Sequence, residues 1–170
     1  MLYFDLRRLD EGPIAVDGRL ESSDPVWKDD DTRPTGSVQV TGRLSAAGNG
    51  RYYFSGDIEG SVTGECRRCL ADASSTVSEG MDAMFAEPGD DEILEDPDVY
   101  ELDLRAGELD LRPAIREQWL LAVPATLQCR DDCKGLCPTC GADRNSVNCS
   151  CPPSSDSRWD ALRIPNDSGV

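Results

Sequence analysis

Alternating apolar and polar residues dominate the first half of the chain and predict a β-rich fold. The clearest run is Tyr52, Phe54, Gly56, Ile58, Gly60, Val62 and Gly64. Shorter alternations occur at Leu2, Phe4 and Leu6 and at Val38, Val40 and Leu44. An apolar side chain at every second position is typical of a strand with one buried face. Glycine on that same face indicates a curved strand or a close approach between backbones.

The alternation resumes between Ala73 and Phe85, so two long strands flank residues 66–69. We therefore expect residues 66–69 to lie at the tip of a β-hairpin. Such a tip projects from the sheet, which leaves its side chains accessible to a partner.

One convincing helix follows these strands. Asp110 can cap its first turn, and Pro124 ends it. Its apolar face is Leu111, Ala114, Ile115, Trp119 and Ala122. A second, short helix is expected to begin near Asp156, with Trp159 and Leu162 docking back onto the sheet.

The charge of the chain is strongly acidic and unevenly spread. The 170 residues include 33 Asp and Glu against 17 Lys and Arg, a formal net charge of −16. Residues 79–110 hold thirteen acidic residues and one basic residue, Arg105. Nucleic acid repels such a chain as a whole, so any RNA contact must be local, at the arginine-bearing parts. We interpret the acidic segment as a solvated loop around residues 87–92, or as a docking surface for a basic partner.

Signals for membrane insertion or export are not evident. The longest apolar run, Trp119–Val123, is far shorter than the roughly 20 residues that cross a bilayer. The first residues lack the basic start and apolar stretch of a secretory signal. We therefore expect a cytoplasmic protein with no membrane partner.

Cysteine carries the unusual chemistry of this chain. The sequence has no histidine, which excludes His-based catalysis and His metal ligands. Zinc prefers four tetrahedral thiolate or imidazole ligands, so only all-cysteine zinc sites fit. A C-terminal site is assigned to Cys137, Cys140, Cys149 and Cys151. By subtraction, a second site is assigned to Cys66, Cys69, Cys129 and Cys133, although the spacing alone also allows a different division of the cysteines. We expect two structural Zn²⁺ ions per chain.

Three other uses of the cysteines remain open from the residues alone. Eight cysteines allow 105 disulfide pairings, although nothing indicates export. An iron–sulfur cluster also takes four thiolates. A thioredoxin-like redox pair needs a Cys-x-x-Cys that follows a strand and opens a helix, and neither pair has that setting. Closed four-thiolate sites leave no open coordination position, so we expect no enzyme.

Basic residues cluster around the cysteines. They are Arg67, Arg68, Arg130, Lys134 and Arg144. One role for them is to offset the negative charge of four thiolates on one zinc ion. Another is phosphate binding, in which arginine offers two parallel hydrogen bonds. The candidate contacts with RNA or another partner are Arg67, Arg68, Lys134 and Arg158.

These motifs resemble the bacterial YceD family, the large ribosomal RNA subunit accumulation proteins. The resemblance is carried by CRRCL at residues 66–70, CRDDCKGLCPTCG at 129–141, CSC at 149–151 and SRWDAL at 157–162. Where the family usually has Leu-Asn after the CG turn, this chain has Arg144-Asn145. The resemblance implies a cytoplasmic, non-enzymatic protein needed for normal levels of large-subunit ribosomal RNA.

The sequence thus predicts an α+β, β-rich fold. Residues 1–124 form a twisted or barrel-like antiparallel sheet with one main helix, and residues 125–170 a cysteine-rich, zinc-binding segment that docks onto it. The expected partner is large-subunit (23S) ribosomal RNA, an early assembly intermediate or a basic ribosomal protein, with no small-molecule substrate. The alternative is an acidic zinc-binding adaptor between proteins that never contacts RNA. A third hypothesis, thiol redox chemistry, needs a cysteine of lowered pKa.

Overall fold

A computed structural model describes residues 2–88, 98–103, 107–152 and 158. The strands are β1 (Tyr3–Asp5), β2 (Ile14–Glu21), β3 (Ser37–Gly48), β4 (Arg51–Glu65), β5 (Asp72–Ala86), β6 (Val99–Glu101) and β7 (Glu108–Asp110). The helices are α1 (Leu6–Glu11) and α2 (Arg112–Ala122). The β-rich fold with one main helix is thereby confirmed.

Five strands form an open twisted sheet in the order β2-β3-β4-β5-β6, and β1 pairs with β7 in a separate two-stranded sheet. The first three pairings in the larger sheet are antiparallel, as predicted. The last is parallel, between Met84–Ala86 and Val99–Glu101. Parallel neighbours need a crossover connection of about a dozen residues, which residues 87–98 supply. The sheet is therefore open rather than a closed barrel across the described strands.

The glycines of β4 allow neighbouring groups to approach the strand closely. This agrees with their position on the apolar face of the alternating run. A Cβ atom on Gly56 would lie 2.1 Å from the Thr41 carbonyl oxygen of the neighbouring strand. A Cβ atom on Gly60 would lie 2.7 Å from Cζ3 of Trp119. The apolar members of the run are buried in the main core: Tyr52, Phe54, Ile58 and Val62. The strand therefore uses one face both to bury side chains and to admit the indole ring.

Helix α2 covers the core face of the sheet. The helix begins at Arg112, one residue later than expected for a cap at Asp110. Asp110 Oδ1 nevertheless accepts a hydrogen bond from the Arg112 N–H at 2.9 Å. Of the predicted apolar face, Ala122 is only partly buried, and the others are buried: Leu111, Ala114, Ile115 and Trp119. Trp119 Nε1 donates to the Thr32 carbonyl at 2.8 Å. The indole thus ties α2 to the connection between β2 and β3.

The N-terminal alternation correctly predicted a strand, β1, but extended it too far. Leu6 does not continue β1 but begins α1, because the Asp5 carboxylate accepts the Arg7 N–H at 2.9 Å and caps that helix. The expected last helix, with Trp159 and Leu162, lies outside the described residues, and so does most of the acidic loop. The boundary between residues 124 and 125 stays a prediction. No helix in the described part of the chain is long and apolar enough to span a membrane.

Candidate metal centres

The β4–β5 hairpin ends in a tight tip, as predicted. Its connection is residues 66–71, between Glu65 and Asp72. The Cys66 N–H donates to the Ala71 carbonyl at 2.8 Å, and the Leu70 N–H donates to the Cys66 carbonyl at 2.9 Å. Leu70 turns the chain with a φ of 60°, which is uncommon for a residue with a side chain. The turn brings the sulfur atoms of Cys66 and Cys69 within 4.8 Å of each other.

The chain after α2 returns to this tip and holds it from two sides. Cys66 and Leu127 form a parallel bridge, and the Arg67 N–H donates to the Leu127 carbonyl at 2.8 Å. On the other side, the Leu136 N–H donates to the Arg68 carbonyl at 2.9 Å. Gly135 permits this approach, since its φ is 70° and a Cβ would lie 2.8 Å from the Arg68 oxygen. Main-chain contacts therefore hold the tip in place without a contribution from a metal ion.

The hairpin cluster consists of Cys66, Cys69, Cys129 and Cys133. Its four sulfur atoms lie within 4.8 Å of one another. The Sγ–Sγ distance is 3.9 Å between Cys66 and Cys133 and 3.6 Å between Cys69 and Cys129. Three of the cysteines are buried, and Cys129 is partly buried. The structure thus brings together the set that the sequence analysis assigned by subtraction.

The tail cluster consists of Cys137, Cys140, Cys149 and Cys151. Its sulfur atoms also lie within 4.8 Å of one another. Cys149 Sγ is 3.4 Å from both Cys137 Sγ and Cys140 Sγ. Gly141, with a φ of 72°, makes the turn in which its N–H donates to the Cys137 carbonyl at 2.9 Å. Only Cys137 is buried, so this cluster is more open to solvent than the hairpin cluster.

Asn145 links the two clusters, a role that spacing did not reveal. Its Nδ2 donates to Cys133 Sγ at 3.6 Å, while its Oδ1 accepts the Lys134 N–H at 2.8 Å. Asp143 fixes the asparagine by accepting from its backbone N–H at 2.9 Å. The signal that could have shown this is the Asp-x-Asn turn between the second and third cysteines of the tail cluster. Arg144, which departs from the usual family pattern, is exposed, so its charge enters no core.

Each cluster contains at least one thiol whose pKa is lowered, which favours its ionised form. Hydrogen bonds from the backbone N–H groups of Cys129 and Arg68 lower the pKa of Cys66 to about 6. A hydrogen bond from the backbone of Cys140 likewise lowers the pKa of Cys137 to about 6. A thiolate is the form of cysteine that binds metal. At neutral pH, therefore, each cluster offers at least one thiolate ligand.

The remaining thiols do not all ionise on their own. Burial raises the pKa of Cys129 to about 12. The neighbouring Cys149 side chain raises the pKa of Cys151 to about 12. A divalent cation at the centre of each cluster would supply the positive charge that lets these thiols lose their protons. The electrostatics of both clusters therefore favour a bound cation.

The donor sets fit a single zinc ion. Zinc binds thiolates at about 2.3 Å, which places the sulfur atoms of a tetrahedron about 3.8 Å apart. Four Sγ–Sγ distances, two in each cluster, are 3.4 to 3.9 Å and lie close to that value, and the others are within 4.8 Å. All eight cysteines are unpaired, and the separations far exceed the roughly 2.05 Å of a disulfide bond. The clusters could thus each hold one metal ion.

The predicted contact residues are exposed around these clusters. Arg67 and Arg68 lie at the hairpin tip, Lys134 follows Cys133, and Arg158 is exposed in the last described position. Arg67 Nη1 donates to Thr126 Oγ1 at 3.3 Å, which orients its guanidinium along the returning chain. Arg67 and Arg68 lie between two cysteines of the hairpin cluster, and Lys134 follows a third. The hydrogen bond from Leu136 to Arg68 brings these two segments together.

The comparison with known families decides the relationship of the chain. The family model for the large ribosomal RNA subunit accumulation protein YceD matches residues 54–164. The chain belongs to the YceD family. The matched range contains the hairpin tip and all eight cysteines. The YceD match therefore covers the whole candidate site.

Relatives of this YceD chain are known from bacteria and a plant. An uncharacterized protein of Mycobacterium tuberculosis is 32% identical over 109 residues, which cover 63% of this chain and 52% of that protein. A Mycobacterium bovis protein, also uncharacterized, has the same values. The chloroplastic YCED homolog 1 of Zea mays, named for large ribosomal RNA subunit accumulation, is 27% identical over 148 residues. That match covers 69% of this chain and 48% of the plant protein. The chain spans about half the length of these curated relatives, and no solved structure matches it.

Proposed function

We propose that this chain is a cytoplasmic, non-enzymatic factor that supports the accumulation of large-subunit ribosomal RNA by binding RNA. The proposal rests on one observation: a YceD chain whose two four-cysteine clusters frame an exposed, arginine-bearing hairpin tip. The family name supports the ribosomal process. The exposure of Arg67, Arg68 and Lys134 supports local contact with phosphate.

Zinc is the cofactor that we propose for both clusters. Bound zinc would neutralise the thiolates and cross-link the hairpin tip to the returning chain. In the hairpin cluster, Cys66 and Cys69 come from the tip, and Cys129 and Cys133 come from the segment after α2. Four thiolates leave no coordination position for a substrate, which supports a structural rather than a catalytic role. An iron–sulfur cluster is less well matched, because its iron and sulfide core would hold the four thiolates farther apart than one ion does.

RNA binding by the tip must overcome the charge of the whole chain. Arg67 and Arg68 are placed as far from the main core as the hairpin allows, and arginine can bind a phosphate with two hydrogen bonds. Residues 79–110 carry most of the acidic excess, and those in β5 lie in the half of the strand that is farther from the tip. The contact is therefore local, and its affinity should fall steeply as salt rises.

The metal content of purified protein tests the clusters. We expect two zinc ions per chain, one in Cys133→Ser, one in Cys149→Ser and none in the double variant. Ser150→Ala is the matched control, because Ser150 is exposed between two cysteines of the tail cluster and should leave both ions in place. Metal-free protein with oxidised thiols, or several iron atoms and sulfide per chain, would contradict the zinc assignment.

The ratio of large- to small-subunit ribosomal RNA tests the function in cells. Depletion of the protein should lower this ratio, and the wild-type chain should restore it. The Arg67→Ala/Arg68→Ala variant should fail to restore it, whereas Arg43→Ala should succeed. Arg43 is an exposed arginine that pairs with Ser55, about ten residues or about 33 Å before the tip. An unchanged ratio after depletion would refute the proposed function.

A second candidate is an acidic adaptor that binds protein partners and never contacts RNA. The thirteen acidic residues among residues 79–110 favour it. Filter binding of single-stranded ribosomal RNA at several salt concentrations separates the two candidates. If each tip arginine neutralises one phosphate, Arg67→Ala/Arg68→Ala should reduce the slope of log affinity against log salt by about 1.4. No measurable RNA binding by the metal-loaded wild-type protein favours the adaptor.

A further inference from the structure

Strand β5 has a long edge that no strand covers within the described residues. On one side, β4 pairs with β5 along its whole length, from Asp72 to Ala86. On the other side, β6 pairs only with Met84–Ala86. The remaining edge, residues 72–83, is called the β5 edge below. Unpaired strand edges are templates on which another chain can add a strand.

The hydrogen-bonding pattern shows which backbone groups face outward. The Glu87 N–H donates to the Gly50 carbonyl and the Cys66 N–H to the Ala71 carbonyl, so odd-numbered residues of β5 pair with β4. The Leu102 N–H donates to the Ala86 carbonyl, on the opposite side. Successive residues of a strand direct their N–H and C=O groups to opposite sides. The even-numbered residues of β5 therefore present these groups at the free edge. These residues are Ser74, Thr76, Ser78, Gly80 and Asp82. Gln118 Nε2 approaches one of these carbonyls, on Gly80, at 3.5 Å.

A groove beside this edge combines apolar and acidic side chains. It has a volume of about 420 Å³ and lies between β5, β6 and α2. Met81, Met84 and Leu121 supply apolar surface, and the Leu121 side chain is 76% exposed. Asp82 is ionised in the groove, because hydrogen bonds from Ser55 and Tyr53 lower its pKa. The groove therefore offers apolar pockets together with fixed negative charge.

This region is acidic, and the part of the sequence that contains β5 and β6 has no basic residue to offset its negative charge. Residues 69–104 contain no lysine or arginine. Glu79 is exposed on β5, and Glu117 of α2 lines the groove, where its carboxylate accepts from the Tyr100 hydroxyl at 2.7 Å. An RNA strand would be repelled here. So would a second copy of this edge, or the acidic residues 90–92 of the chain itself, because their charge has the same sign.

We propose that the β5 edge binds an extended, basic segment of a partner protein, which adds to the sheet as a strand. The partner backbone pairs with the outward-facing groups of residues 74–82, in line with β6. Because side chains alternate between the two faces of a sheet, its lysine or arginine side chains lie on the face of Asp82, and its apolar side chains enter the groove on the opposite face, beside α2. Main-chain hydrogen bonds supply the affinity of such added strands, and side-chain pockets supply their specificity. The site requires neither bound metal nor RNA contact at the hairpin tip.

A nine-residue peptide of alternating lysine and valine, with blocked ends, is the probe. Titration against the full, metal-loaded chain should show binding that weakens with salt. Amide hydrogen exchange should show new protection at Ser74, Thr76, Ser78 and Gly80. The same peptide with glutamate in place of lysine should not bind. Strand addition, unlike diffuse charge attraction, protects these alternate amides in particular.

Ser78→Pro removes one outward N–H while leaving the pairing with β4 intact, because Ser78 donates away from β4. It should weaken the lysine peptide about tenfold. Ser78→Ala, which keeps the N–H, should bind like the wild type. Asp82→Lys tests the charge without proline: it should weaken the lysine peptide and allow the glutamate peptide to bind.

Several results would overturn the proposal. One is protection of residues 74–80 in the free monomer, which would mean that the chain covers its own edge. Another is a dimer in solution with these amides protected, which would make a second copy the occupant. Binding of the lysine peptide with protection only elsewhere, equal binding of both peptides, or protection of the same amides by RNA would refute it as well.

Discussion

Replacement of Gly60 by alanine tests the packing on which the sheet and α2 depend. The new Cβ would lie 2.7 Å from Cζ3 and 3.1 Å from Cη2 of Trp119. Ordinary carbon contacts are about 3.5 to 4.0 Å, so the ring or the strand must move by nearly 1 Å. Trp119 is fully buried and its Nε1 donates to the Thr32 carbonyl, so the ring has no free direction in which to move.

Two opposing effects determine the size of the change. Overpacking of a filled core costs about 1 to 3 kcal/mol. Alanine also restricts the unfolded chain, which stabilises the folded state by about 0.4 to 1 kcal/mol where the backbone conformation is compatible. We therefore expect the free energy of unfolding of Gly60→Ala to fall by about 1 to 2 kcal/mol.

Gly80→Ala is the matched control, because it lies in the neighbouring strand with open space around it. The nearest atom to its Cβ would be Asp57 Oδ1 at 3.9 Å, and neither glycine has a positive φ. The control should be unchanged or slightly stabilised. Urea unfolding at fixed metal concentration, followed by tryptophan fluorescence, measures both variants.

A smaller ring should relieve the strain, so Trp119→Phe should cost less in the Gly60→Ala background than in the wild type. Equal stability of Gly60→Ala and Gly80→Ala would refute the reasoning, because it would mean that Trp119 does not occupy the space over β4.

Other measurements test the ion pairs and the link between the clusters. The Arg116 guanidinium lies 2.6 Å from the Asp31 carboxylate and lowers the pKa of Asp31, so the stabilisation is present above the ordinary pKa of an aspartate and is lost as pH falls through the lowered value. The urea midpoint should thus drop between pH 5 and pH 2.5 by less in Asp31→Asn than in the wild type; an equal drop would contradict this. Asn145→Ala removes the hydrogen bond to Cys133 Sγ and should weaken metal binding at the hairpin cluster by about tenfold in chelator competition. Asn148→Ala, an exposed neighbour, should leave it unchanged, and equal affinities of the two variants would argue against the link.

Local periodicity predicted the elements that position the site. The alternation on either side of residues 66–69 identified β4, β5 and the hairpin tip, because a strand with one buried face must repeat every two residues. The helical face around Trp119 identified α2 for the equivalent reason. The grouping of the cysteines followed from counting to four, since zinc without histidine needs four thiolates.

Other features depend on pairs that are distant in sequence and leave no local pattern. Nothing in the strand periodicity shows that β6 runs parallel to β5. The ion pair between Arg116 and Asp31 joins residues 85 positions apart. Asn145 reads locally as a turn residue, and its contact with Cys133 exists only because the two clusters lie side by side. At Leu6 a local pattern was present but wrong. The alternation predicted that the strand continues, whereas the cap at Asp5 begins a helix there.

The sequence separation of the cysteines gives the two clusters different places in the order of folding. Cys66 and Cys133 are 67 positions apart, with β5, β6, β7 and α2 between them. Cys140 and Cys149 are nine positions apart. Closing a short loop needs less chain entropy than closing a long one, so the tail cluster can gather its sulfur atoms around a metal ion while the rest of the chain is still unfolded. The hairpin cluster is completed only when the chain after α2 reaches the tip. A metal ion in the hairpin cluster would therefore be bound only by the finished fold, and the proposed arginine contacts at the tip would take their final positions in that last step.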